Sequence, residues 1–241
     1  MSGTACFRQL RLPYENRMRW TTAIVVCFLI ALPLALAVED IEIAGIGNVR
    51  VTAEQRIGIL PRLIFTDVSS GKLLGSVAIG QFDPKAAVTT TVARLKLKVL
   101  HLAGLPNPLI LAVFDYGGGS DCLREAAPVA YVGGTFRSLL PRPLAFWTQE
   151  GFALGDLGKG LNPAFALFKE LPSSKATHYE PHQFSVEVFA WDKATGQFRP
   201  SATWHTKSAT DLRGAAAEFG FPGSTVVDFE TLLKWFPDFS C

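Results

Sequence analysis

Two short stretches carry residue types suited to a reactive or binding site. The first is Gly117-Gly118-Gly119-Ser120-Asp121-Cys122. A nucleophile elbow reads Gly-x-Ser-x-Gly, which stands the serine on a strained strand-to-helix turn. Here Cys122 replaces the last glycine, and no alternation of strands and helices surrounds it. A phosphate-cradling loop needs Lys-Ser/Thr leading into a helix, and Leu123-Arg124 do not supply it. Cys122 as a thiolate nucleophile would need a histidine close by to depress its pKa. The second stretch is His178-Tyr179-Glu180-Pro181-His182. Two histidines four apart share a metal when they lie on one helix face, but Pro181 breaks such a helix. A zinc loop of His178 and His182, with Glu180 or His205, is one alternative; a surface loop leading into a strand is the plainer expectation. No catalytic residue, metal or cofactor is therefore assigned. Asp121, His178, Tyr179 and His182 are the expected ligand-binding residues, on the condition that the two loops lie side by side.

Other groups fit the same frame. Asp115, Asp121, Asp156 and Glu180 are the carboxylates nearest the loops, and a glycosidase pair is defined by a spacing in space rather than in sequence. Trp147, Trp191 and Trp204 suit core or hairpin packing better than a sugar-stacking surface.

The elements that must hold these loops read as strands. Gly and Pro are frequent, and the apolar segments between them are short. Leu102-Ala103-Gly104-Leu105-Pro106-Asn107-Pro108-Leu109-Ile110-Leu111 recurs as Leu157-Gly158-Lys159-Gly160-Leu161-Asn162-Pro163-Ala164-Phe165-Ala166. In both, a turn reaches Asn-Pro and then an apolar run. We read both runs as strands, although Pro163 and the residues after it would also suit a short helix. Three hairpin-like segments follow related designs: Thr66 to Leu73, Ala130 to Arg137, and Ala190 to Arg199. The first and last each pair a turn-starting Asp with a Gly, and the middle one turns on Gly133-Gly134. Phe184, Val186, Val188 and Ala190 alternate with Ser185, Glu187 and Phe189 ahead of the last.

The order of turn, proline, apolar strand, Gly-rich loop and hairpin resembles repeats of the FG-GAP/VCBS type in exported bacterial proteins, over residues 99–205. The resemblance implies propeller-like sheets and calcium held by acidic loops. The acidic loop is depleted here: Asp156 and Asn162 flank Lys159, and the other copy offers His101 and Asn107. Calcium takes six to eight oxygens, so none is expected. The expected fold is mainly β, built of repeated antiparallel sheets in a propeller-like or partial-propeller arrangement, with two short C-terminal helices. Units are placed at about 58–98, 99–150 and 151–205, with a helical cap over 206–241. Leu212, Ala216 and Phe219 mark one helix; Phe229, Leu232, Leu233 and Phe236 mark the other.

Export frames all of this. The apolar run Ala23–Val38 follows Arg17 and Arg19 and ends in Ala35-Leu36-Ala37, the parts of a signal peptide over residues 1–37. The run is shorter than the ~20 residues of a bilayer span. A retained anchor is the alternative, and Met18 is an alternative start. The leader takes four Arg and one Glu, leaving 19 basic residues of 23 and 20 acidic of 21, a net of −1. That balance disfavours a nucleic-acid partner. Cys122 and Cys241 survive cleavage as a disulfide candidate. The expectation is one β-rich domain, 38–241, periplasmic or secreted, that binds an envelope or extracellular partner without catalysis and meets the membrane only through a retained leader. A secreted hydrolase using loops 117–122 and 178–182, and a purely structural envelope component, are the alternatives.

Overall fold

The computed structural model describes residues 34–56, 59–80, 94–116, 123–147, 150–156, 163–172, 180–212 and 225–239. Mainly β, it consists of three antiparallel sheets and one short helix. Sheet I runs in order β1 (Leu34–Ile43), β2 (Gly47–Arg56), β3 (Ile59–Asp67), β4 (Leu73–Ala78). Sheet II runs β5 (Arg94–Leu100), β6 (Leu109–Asp115), β7 (Arg124–Val132), β8 (Thr135–Ser138), with β9 (Leu144–Phe146) also on β7. Sheet III comprises β10 (Gly151–Asp156), β11 (Pro163–Glu170), β12 (Phe184–Asp192) and β13 (Gln197–His205). There β14 (Thr225–Val227) adds in parallel to β10. Both Asn-Pro segments lead into the second strand of their sheet, β6 and β11, so the strand reading holds for each. Sheet I begins at Leu34, two strands ahead of residue 58. The backbone of Ala35 and Ala37 lies in β1, opposite Glu54 and Ala53, so the expected cleavage point falls inside a paired strand.

Side-chain alternation stacks the sheets. In sheet I, Ile41, Ile43, Val49, Val51, Leu63, Phe65 and Val77 point one way and pack on Ile110, Ala112, Phe114 and Val129 of sheet II. The opposite face of sheet I is polar, with Arg50 clamping Asp40 through two hydrogen bonds of 2.8 and 2.9 Å. Sheet II lies in the middle, and β6 is buried on both faces, as continuous apolar runs of this kind require. Its other face, Leu109, Leu111, Val113, Ala126 and Ala130, meets Phe152, Phe165, Leu167, Phe189, Trp191 and Phe198 of sheet III. The far side of sheet III, Ala164, Ala166, Phe168, Phe184 and Val186, is covered by α1 (Phe229–Trp235) and by Leu212, Phe236 and Phe239.

Local chemistry sets the ends of these elements. Gly133 and Gly134, at φ +61° and +86°, make the two-residue turn that matches strand twist. Asp67 accepts from Ser69 Oγ, Ser70 N–H and Ser70 Oγ, which pulls its carboxyl down to about 2. Asp192 does likewise with Ala194 N–H and Thr195 Oγ1, and its pKa is also lowered. In α1, Asp228 caps the start by accepting Thr231 N–H at 2.7 Å. Leu233, expected on the buried stripe, is exposed, while Phe239 beyond the helix is buried in the same cluster as Leu232 and Phe236. The other expected helix lies largely outside the described residues, and Leu212 ahead of it is buried.

Two irregularities shape the third layer. A bulge in β13, with Ser201 the extra residue opposite Val188/Phe189, shifts the phase of that strand, so Phe198 faces sheet II and Trp204 the helix side. β12 alternates without a break, with Phe184, Val186 and Val188 toward the helix and Phe189 and Trp191 toward sheet II. Ala190, expected on the buried phase, is only half-buried near the end of the strand. The second is at Pro128 in the middle of β7. Its carbonyl accepts Leu139 N–H, so its missing donor faces the same side. There the edge is interrupted: β8 pairs with Val129–Val132 and β9 with Arg124–Ala126, and Leu139–Pro143 leaves the ladder between them. A proline is tolerated inside the sheet because no partner strand needs its N–H.

Candidate functional site

Contacts between hairpins fix how the sheets are oriented. Arg137 Nη2 on β8 donates to the carbonyls of Thr195 and Gly196, 3.0 and 3.3 Å away, in the β12–β13 hairpin. Phe65 on β3 stacks on Phe136 of β8 with centroids 3.8 Å apart. The three hairpins singled out in the sequence each join the third and fourth strands of a sheet. They lie together at one end. The strand ends on either side of the second-to-third connections, Asp115 and Arg124 in sheet II and Glu170 and Phe184 in sheet III, therefore lie at the opposite end.

Buried polar groups collect at that opposite end. Asp115 and Arg124, directly across β6–β7, form an ion pair of 3.7 Å, with both residues buried. Next to them the Tyr116 hydroxyl donates to Glu125 Oε2 at 2.8 Å, and Glu125 is 3% exposed. Burial first, and then the Glu125 charge, push the Tyr116 phenol well above its ordinary range. Gly80, at φ +104°, lets the chain leaving β4 pass this pair, for a Cβ there would sit 3.3 Å from the Tyr116 hydroxyl. In sheet III, Glu150 accepts Trp147 N–H at 2.9 Å and Glu170 N–H at 3.2 Å. Burial raises its pKa, against the pull of those two N–H groups and of the Lys169 charge. Glu170 in turn lies 3.7 Å from His182 Nε2. Trp147 stands 50% exposed beside this group.

His182 is 6% exposed, and its backbone bridges Thr210 through two hydrogen bonds of 2.7 and 3.1 Å. Asp121, Cys122, His178, Tyr179 and Cys241 lie outside the described residues. Glu180 is exposed, and His205 is exposed on β13 opposite Ser185. Trp191 is core and Trp204 packs against Phe239, so of the three tryptophans only Trp147 offers an open face. Among the described residues, no group of three or more His, Cys, Asp or Glu side chains converges on a point where a metal could bind. None of their helices is long and apolar enough to cross a membrane.

Sequence reasoning missed Tyr116, Glu125, Glu150 and Glu170. Their signal was position: ionisable residues at the ends of apolar strands, directly beside the loops. Asn107 has a different part, for its Nδ2 donates to the Tyr131 carbonyl at 2.9 Å and fastens the β5–β6 turn to β7 at the hairpin end.

Compared with known proteins, the chain matches no protein-family model and no curated protein.

Proposed function

We propose that the chain is an exported, non-enzymatic binding module of the cell envelope, using the loop end of a propeller-like stack of degenerate FG-GAP/VCBS-type units. The observation that carries this reading is that the strand ends flanking 117–122 and 173–179 lie at the same end of adjoining sheets, among buried polar groups. Loops on a rigid scaffold are the usual seat of recognition. The three successive meanders, each with its hairpin between third and fourth strands, support the repeat reading. Asp121, His178 and Tyr179 supply the contacts, with His182 as a post beneath them. The partner is an envelope or extracellular component, and no nucleic acid or cofactor is involved.

Site-specific photocrosslinking in the native envelope tests it. A crosslinker at Ser120 or at Tyr179 should give one discrete adduct, and the same group at Val68 or Lys193, at the hairpin end, should give none. Equal labelling from both ends, or none from either, overturns the reading. Mass spectrometry of the recovered chain reports cleavage after Ala37 and, with and without reduction, the Cys122–Cys241 bond.

A further inference from the structure

Two charged side chains occupy core-phase positions in sheet III. Along β11, Phe165 and Leu167 point at sheet II, and Lys169 is next in that phase. On β12, Glu187 lies opposite Leu167, on the face that Phe189 and Trp191 continue toward sheet II. Burying unpaired charges at such positions costs several kcal/mol. Sheet II spares them by stopping short. Where Pro128 ends the need for an edge partner, Leu139–Pro143 swings off as a strap, tacked to sheet III by the Phe198 N–H bonded to the Leu139 carbonyl at 2.8 Å. Between the strap and the uncovered face lies a cleft of about 320 Å³.

Its walls carry both signs of charge over an apolar floor. Arg142 on the strap and Lys169 on β11 are cationic, Glu187 on β12 is anionic, and Leu144, Leu167 and Phe189 lie among them. Among the described residues, these three charged side chains form no salt bridge with one another. Opposite charges held apart around an apolar surface complement a molecule that carries both charges and an apolar group. We infer that this cleft binds a small zwitterion: an α-amino acid with an apolar side chain, or a dipeptide of such residues. The carboxylate lies toward Arg142 and Lys169, the ammonium group toward Glu187, and the side chain against Phe189 and Leu144. The cleft is at the small end of ligand-pocket volumes, which suits one or two residues.

Isothermal titration calorimetry of the full chain tests this with L-leucine, L-phenylalanine and the Leu-Phe dipeptide as probes. Saturable binding is expected at millimolar concentration or below. N-acetyl-L-leucine and L-leucinamide, each lacking one charge, should bind about tenfold more weakly or worse. Glu187→Gln should abolish the preference for the free amine over the acetylated one, and Arg142→Gln the preference for the free acid over the amide. In unsubstituted protein, NMR shifts on adding L-leucine should centre on Leu144, Leu167 and Phe189, which needs no variant to fold. No saturable heat from any probe overturns the assignment. So does binding indifferent to N-acetylation, or shifts that centre elsewhere.

Discussion

Replacing Gly196 by alanine tests the orientation on which the loop end depends. Gly196 has φ +61°, and a Cβ there would run into Arg137 Nη2 and come within 2.9 Å of Val132 Cγ1. The left-handed backbone alone costs an alanine about 1–2 kcal/mol. Displacing Arg137 also forfeits its hydrogen bonds to the Thr195 and Gly196 carbonyls, worth about 1.5–3 kcal/mol for a charged donor. Gly71 has nearly the same φ, +68°, but nothing lies within 4 Å of its would-be Cβ. Gly71→Ala therefore reads the backbone cost by itself, and Gly196→Ala should exceed it by about 1.5–3 kcal/mol. Arg137→Ala should cost a similar amount, and the Gly196→Ala/Arg137→Ala double variant little more than Gly196→Ala. Urea unfolding of the four variants measures each cost, and coupling of about 1.5–3 kcal/mol in the cycle is the expected result. Additivity within about 0.5 kcal/mol would show that the two hairpins do not touch. The shared end of the flanking strands would fall with them.

The remaining predictions concern single groups. Asp67 should titrate at about 2 by NMR, against an ordinary 3.8. Because its folded pKa lies below the unfolded one, its contribution to stability is present above pH ~4 and lost as the pH falls toward ~2; Ser70→Ala should move the titration upward. Glu150 has the opposite sign. Burial raises its pKa above 4.5, so its linked stability is full below that value and declines as the pH rises through the folded pKa, which a carboxyl-labelled NMR titration would show. Phe168→Ala, removing a ring that meets Phe184, Trp235 and Phe236, should cost about 3–5 kcal/mol in urea unfolding. Hydrogen exchange should rise first in α1.

Much of the sheet pattern was legible because alternation and turn chemistry are local. The Asp-to-Gly segments and Gly133-Gly134 fixed three hairpins from a few residues each, and Asn-Pro marked where β6 and β11 begin. The irregular positions were not legible. Nothing near Ser201 distinguishes a bulge from continued alternation, and only the pairing with β12 shows that Phe198 and Trp204 face opposite sides. Pro128 stands in an apolar run, and only pairing reveals that its missing donor coincides with a break in the neighbouring strand. The first sheet was placed too late because the leader's apolar run merges into β1. At the loop end, His182 stood out as a residue type, but its burial is set by Glu170 and Thr210, from separate segments. The bracing roles of Glu150 and Tyr116 depend likewise on partners that only folding assembles.

The charged outer skin of sheet I gives the stack a definite last layer. A further sheet laid over it would have to dehydrate the Asp40–Arg50 clamp and Arg62, which donates to Ser76, for the limited apolar area that Val38 and Leu73 expose there. Piling copies of the chain face upon face on that skin is therefore disfavoured.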